Sequence, residues 1–214
     1  MKLYDYEASG NCYKVRLLLA LLGTPYERVP IDIFAGDTLT PEYGRLNPVR
    51  ETPVLELDTG ETIAQSNAIL WYIAEGTPFL PASRLARAHV LQWLSFEQER
   101  IMVGVGGTRF RCMTGRAALD RAAAASRFEA GLNALSLLDV HLTGRSFAVG
   151  DGCTIADLSL FAYTHVAGDA GFDLAEYPAV VEWIDRIRAL PGYMHDFVPY
   201  PENALPGRGR SIYE

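Results

Sequence analysis

A mixed α/β half followed by an all-helical half is the architecture that this 214-residue chain predicts. Three observations carry it. Strand-like alternation is confined to the first third, a Pro/Gly-rich connector ("GTPFLPASR") follows Glu75, and beyond it every long stretch has helical period or none. The expected boundaries are 1–76 for the mixed domain, 77–83 for a linker, 84–200 for the helical domain and 201–214 for a C-terminal tail.

The elements follow in order. "KLYDY" alternates as a half-buried strand does, and the next helix carries Val15, Leu18, Leu19 and Leu22 before a stop at Gly23. "YERVPID" reads as a second strand that Pro30 confines to an edge or ends. A loop rich in Gly, Asp, Thr and Pro is expected from Phe34 to Pro48. "PVLEL", a turn at Asp58-Thr59-Gly60 and "ETI" form a hairpin signal, and Ser66 opens a helix with Ile69, Tyr72 and Ile73 on one face.

In the second half, Arg84 to about Cys112 reads as a long helix weakened by "GVGG" at Gly104–Gly107, where a kink is expected. An Ala-rich helix comes next. "TIADLSLFAYTHVAG" is apolar nearly all round and reads as buried. "AVVEWIDRIRAL" places Val180, Trp183, Ile184 and Ile187 at helical spacing.

Composition narrows the function. Hydrophobic residues make up 49% and charged residues 21%, which excludes a disordered chain. The net charge of -7 argues against a nucleic-acid partner, because no basic excess is available to release counterions. The short "GRGR" at Gly207–Arg210 reads as part of a solvated tail. Cys12, Cys112 and Cys153 show no paired spacing, and an odd count suits a reducing compartment. His89, His141, His165 and His195 are scattered, so no metal site is expected. "MKLYDY" has no apolar signal core and no run approaches a membrane span; a cytoplasmic protein with no membrane partner is the expectation.

Chemistry concentrates where the first strand meets the first helix, at Ser9-Gly10-Asn11-Cys12. A helix N-terminus carries partial positive charge and stabilises anions, thiolates included. A serine there is not a redox sulfur, but it can donate a hydrogen bond to a thiolate brought in by a ligand. Lowering a thiol pKa by about two units takes about 2.7 kcal/mol. One hydrogen bond to a charged group supplies about 1.5–3 kcal/mol and the helix end about 0.3–1 kcal/mol, so the pair suffices. Read alone, Ser9 is equally a helix cap.

Two further stretches point the same way. Pro53, after Thr52, is a strand-start proline or a cis peptide that turns the Thr52 backbone toward an extended peptide. Gln65 and Ser66 open a helix whose first amides either receive a cap or bind a carboxylate. Three docking points in one small α/β unit suit a short, thiol-bearing, carboxylate-rich peptide.

In that order, "SGNCYKV", "NPVRETPVLEL" and "QSNAIL" resemble the three glutathione-site segments of the cytosolic glutathione transferases, and "GDGCTIADLSLFAY" resembles their helical-domain signature. The resemblance covers residues 1 to about 197. It implies a thioredoxin-like N-terminal domain, glutathione as co-substrate, no metal, and a homodimer. Ser9 stands where theta- and zeta-like members carry the hydroxyl that activates glutathione, with Asn11 sharing or replacing that role. Thr52, before a cis Pro53, would pair with the cysteinyl backbone; Gln65 and Ser66 would hold the γ-glutamyl end, and Glu51 or Arg50 would approach the glycyl end. Thr154 and Asp157 form a capping box, so replacing Asp157 should harm folding before chemistry. The activating tyrosine of several mammalian classes has no counterpart, and Tyr4 and Tyr6 read as structural. Cys12 is a packed first-turn residue or a resolving thiol.

A second-substrate pocket is expected between the halves, lined by Tyr13, Phe34, Val103, Thr108, Arg109 and Phe110. The function implied is attack of the glutathione thiolate on a small, mostly apolar electrophile. The alternatives are glutathione-dependent isomerisation, dehalogenation or disulfide reduction, or a non-catalytic module on the same fold.

Overall fold

The computed structural model describes residues 1–213. Four strands form one sheet in the order β2-β1-β3-β4, built from β1 (Lys2–Asp5), β2 (Glu27–Pro30), β3 (Val54–Glu56) and β4 (Thr62–Ala64). β1 and β2 are parallel, with α1 (Gly10–Leu22) as their crossover; β1–β3 and β3–β4 are antiparallel. β2 is one of the two edge strands and ends at Pro30, which has no N–H to extend the ladder. α1 stops in a left-handed Gly23 (φ 62°), whose N–H meets the Ala20 carbonyl at 3.0 Å while Thr24 N–H meets that of Leu19 at 2.9 Å. The sheet and its helices form the expected thioredoxin-like unit.

One element departs from expectation. The stretch read as loop from Phe34 to Pro48 contains α2 (Pro41–Leu46). Its signal was local: Thr40 Oγ1 accepts from Tyr43 N–H at 3.2 Å, and Pro41 occupies the first helical position. α3 (Ser66–Ala74) completes the first half.

The second half begins with α4 (Arg84–Phe96), which runs through a π-helical stretch, Glu97–Gly106, into α5 (Gly107–Met113). The expected kink at the glycines is therefore a wide-turned segment that starts before them. The glycines serve close approach instead. A Cβ on Gly104 would lie 2.6 Å from the Gly131 nitrogen of α6 (Arg121–Leu142), and one on Gly106 would lie 2.8 Å from the Tyr163 ring of α7 (Ile155–Thr164). α7 is buried along its whole length and packs against α1, α3 and α4, which explains its unbroken apolarity. α8 (Pro178–Arg188) adds Trp183 and Ile187 to the same core. No helix among the described residues is long and apolar enough to cross a membrane.

The chain beyond α8 turns back onto the first half. Arg16 grips Asp196 with two bonds, 2.7 and 2.9 Å, and holds Asp5 at 2.6 Å. Asn203 donates to Asp32 at 2.8 Å, Arg116 donates to the Ala204 carbonyl, and Arg210 N–H meets the Phe34 carbonyl at 2.7 Å. The expected solvated tail is thus corrected: the Arg208 and Arg210 side chains face water, but the backbone is pinned over the loop after β2.

Candidate active site

A cavity of about 270 Å³ opens between the two halves, at the N-terminus of α1. Ser9, Asn11, Glu51, Thr52 and Gln65 line one wall, and Phe110 with residues of the helical half lines the other. Five of the residues expected to meet glutathione are thereby brought together from three separate segments.

Ser9 does cap α1: its Oγ accepts from Cys12 N–H at 3.3 Å. Capping uses an oxygen lone pair and leaves the single hydroxyl proton free to donate into the cavity. The two readings of Ser9 are therefore compatible. Cys12 is fully buried and its sulfur accepts from Tyr6 N–H at 3.3 Å. Burial pushes its thiol up to about 12, so it is packed and protonated rather than a resolving thiol.

The loop before β3 is braced from beneath. Tyr43 Oη and Asn47 Nδ2 each donate to the Glu51 carbonyl at 2.9 Å, and the Thr52–Pro53 peptide bond is cis. Gln65, at the start of α3, sits at φ 73°, a left-handed conformation that costs a non-glycine residue about 1–3 kcal/mol and is concentrated at functional sites. Its amide donates to Glu51 at 3.4 Å. Ser66 is buried just behind the wall; its hydroxyl donates to Asn11 Oδ1 at 3.2 Å, which leaves its backbone N–H at the first turn of α3.

Other expected residues lie elsewhere. Arg50 turns away and clamps the Thr38 and Thr40 carbonyls at 2.8 Å each. Tyr13 is fully buried against His165 and donates to the Met194 carbonyl at 2.8 Å. Phe34 stacks behind Phe110, Val103 faces outward, Thr108 bonds the Gly104 carbonyl, and Arg109 is committed to Asp169 at 2.9 Å. A helix-face assignment one or two residues out accounts for Val103, Thr108 and Arg109; Gln98, Met102, Gly106, Gly107 and Phe110 are the residues of that helix that reach the cavity.

Sequence reasoning missed the tyrosines. Tyr6, Tyr163, Tyr200 and Tyr213 all line the cavity. The Tyr6 hydroxyl is buried without a hydrogen-bond partner, and its ring packs on Phe34 and Tyr200. Tyr200 and Tyr213 arrive with the refolded tail, and Phe110 packs edge-on against Tyr200 at 5.6 Å. Among the described residues no Lys or Arg lines the cavity, and no group of His, Cys, Asp and Glu is arranged to hold a metal ion. A thiolate at Ser9 would meet an aromatic wall with hydroxyl groups in it.

Comparison with known proteins identifies the family to which this fold belongs. A family model described as the N-terminal domain of glutathione S-transferase matches residues 8–75, and one described as its C-terminal domain matches residues 104–191. The chain is 34% identical to a maleylacetoacetate isomerase of Rhizobium meliloti, over 95% of this chain and 97% of the relative. A glutathione S-transferase structure from Xanthobacter autotrophicus is 43% identical, with a TM-score of 0.86 over 90% of this chain and 95% of its own. Another, from Pseudomonas fluorescens, is 39% identical, with a TM-score of 0.89 over 92% and 98%.

Proposed function

The chain belongs to the glutathione S-transferase family and is an enzyme that takes glutathione as co-substrate, and on that premise we propose how its residues use it. The Ser9 hydroxyl donates to the glutathione sulfur, the N-terminus of α1 adds its partial charge, and the thiol proton leaves to solvent. The thiolate then attacks a small, mostly apolar electrophile held against Phe110, Tyr163 and Tyr200. The single observation behind this is that Ser9 Oγ is fixed by Cys12 N–H while its own proton is left to donate at the cavity edge.

Thr52 offers its backbone to the cysteinyl residue. The first amides of α3, at Ser66 and Asn67, suit the γ-glutamyl carboxylate. Glu51 is an acceptor held beside Gln65, so it suits the ammonium of the γ-glutamyl end rather than the glycyl carboxylate. Arg50, committed to the Thr38 and Thr40 carbonyls, is left out of the site.

The same reading takes the protein to be a cytoplasmic homodimer. Three free cysteines suit a reducing compartment. Trp71, Leu91 and Leu94 line an outward groove between α3 and α4, with Leu85 and Leu91 more than half exposed, which suits a second copy.

Mass analysis of glutathione incubated with the enzyme and an electron-poor aryl halide or an enone tests the proposal; a thioether adduct formed faster than without enzyme is expected. Glutathione returned unchanged beside an isomerised product would favour the second reading, glutathione-dependent isomerisation, to which the identity with maleylacetoacetate isomerase lends support.

A further inference from the structure

Lys14 lies one helical turn after Asn11, fully buried, and its three donors have three acceptors. They are Asn11 Oδ1 at 2.9 Å, Ser66 Oγ at 3.4 Å and Glu97 Oε2 at 2.8 Å. An ammonium donates and cannot accept, so the atom of the Asn11 amide that faces it is the oxygen. Ser66 places a second donor on that same oxygen, at 3.2 Å. With its oxygen held twice, the amide turns its NH2 group away from both donors. Asn11 borders the cavity beside Ser9, and among the described residues no acceptor meets its Nδ2.

We propose that Lys14 is a positioning residue for thiol activation: by holding the Asn11 oxygen it aims the Asn11 N–H group at the sulfur that Ser9 receives. The thiolate then has two side-chain donors, one set by the helix cap and one set by Lys14. This rests on the reading of Ser9 given above. Glu97 is the anchor, itself held by Gln98 at 2.8 Å, Ser159 at 3.0 Å and Asn67 at 3.3 Å. A carboxylate of the helical half thus sets the orientation of a donor in the first half. Because Glu97 neutralises Lys14 at contact distance, the pair acts through the amide it orients rather than through net charge.

The bound thiol can be titrated by thiolate absorbance in three variants: Asn11→Ala, the charge-balanced double Lys14→Met/Glu97→Gln, and the triple. Losing one hydrogen bond to an anion should raise the thiol pKa by about one pH unit in the first two. At pH values below that pKa, kcat should fall about tenfold with little change in KM for glutathione. The triple variant should go no further than Asn11→Ala alone, since both changes remove the same donor. Asn11→Asp keeps the bonds from Lys14 and Ser66 but presents no donor, so it should raise the thiol pKa without lowering the melting temperature. A double variant or an Asn11→Asp variant with an unchanged thiol pKa overturns the proposal, as does full additivity in the triple. If Ser9→Ala moves the thiol pKa and these variants do not, the roles of Asn11 and Lys14 fail while that of Ser9 stands. A thiol that is not lowered in the native protein overturns both readings.

Discussion

The Lys14 ammonium lies 2.8 Å from the Glu97 carboxylate, and neither side chain is exposed to solvent at all. The two belong to different halves of the chain, so one buried ion pair fastens α1 to the helical domain. Burial alone pulls the Lys14 pKa down, and Glu97 opposes that by favouring the charged form. Removing one partner leaves a buried charge uncompensated, which costs about 3–5 kcal/mol. Glu97→Gln should therefore lower the urea-unfolding free energy by about that amount, and Lys14→Met/Glu97→Gln should recover most of it. Equal losses in the single and double variants would show that the pair adds nothing beyond its separate contacts.

Asp157 should prove structural. Its two oxygens accept from Ala148 N–H at 2.7 Å, Thr154 N–H at 2.8 Å and Trp183 Nε1 at 3.0 Å, all out of reach of water. Asp157→Ala orphans these three buried donors at about 1–3 kcal/mol each, together with the Thr154 hydroxyl that donates to the same carboxylate at 3.0 Å, so a loss of about 3 kcal/mol or more is expected. In a chain of this size that lowers the melting temperature by about 6–12 °C. Wild-type melting with lost activity would instead make Asp157 a residue of the reaction.

Of the three cysteines, only Cys112 should react with an alkylating reagent in the folded protein, because Cys12 and Cys153 are buried. Cys12 keeps its proton up to about pH 12 when folded, whereas the unfolded thiol loses it near its ordinary value of 9.0. Between those limits the native state binds the extra proton, so stability falls as pH rises, by about 1.4 kcal/mol per pH unit from this group. Cys12→Ala should flatten that alkaline limb in denaturation curves taken from pH 8.5 to 10.5. Rapid labelling of Cys12 in the native protein at pH 8 would contradict its assignment as a packed thiol.

Gly106 sets the depth of the cavity. Its missing side chain leaves room for the Tyr163 ring, which a Cβ would meet at 2.8 Å. Gly106→Ala should push that ring into the cavity and raise KM for the electrophile several-fold, with KM for glutathione nearly unchanged. Equal shifts in both constants would mean that α5 itself had moved.

What could be read from the sequence was what local chemistry encodes. The cap at Ser9, the capping box at Thr154 and Asp157, the hairpin and the edge proline are signals within a few residues of their effects, and each corresponds to a structural feature. Thr40-Pro41 is as local a signal, but the Gly, Asp, Thr and Pro around it mask a helix of only six residues. Lys14 and Glu97 could not be paired from sequence: they are 83 residues apart, and a lysine in an apolar helix ordinarily reaches water. The same holds for Tyr200 and Tyr213, which have no periodic neighbours and reach the cavity only through a tail pinned by Arg16, Arg116 and backbone bonds. One wall of the cavity was therefore legible in the sequence, and of the aromatic wall only Phe110 was.

The most direct test is the absorbance titration of the thiol of bound glutathione in the native protein and in Ser9→Ala. One hydrogen bond to a thiolate, assisted by the end of α1, should hold the native thiol about two pH units below its solution value, and Ser9→Ala should return most of that. A native thiol that titrates as it does in free solution, or one whose lowered pKa survives Ser9→Ala unchanged, would contradict the assignment of Ser9 as the residue that receives the thiolate.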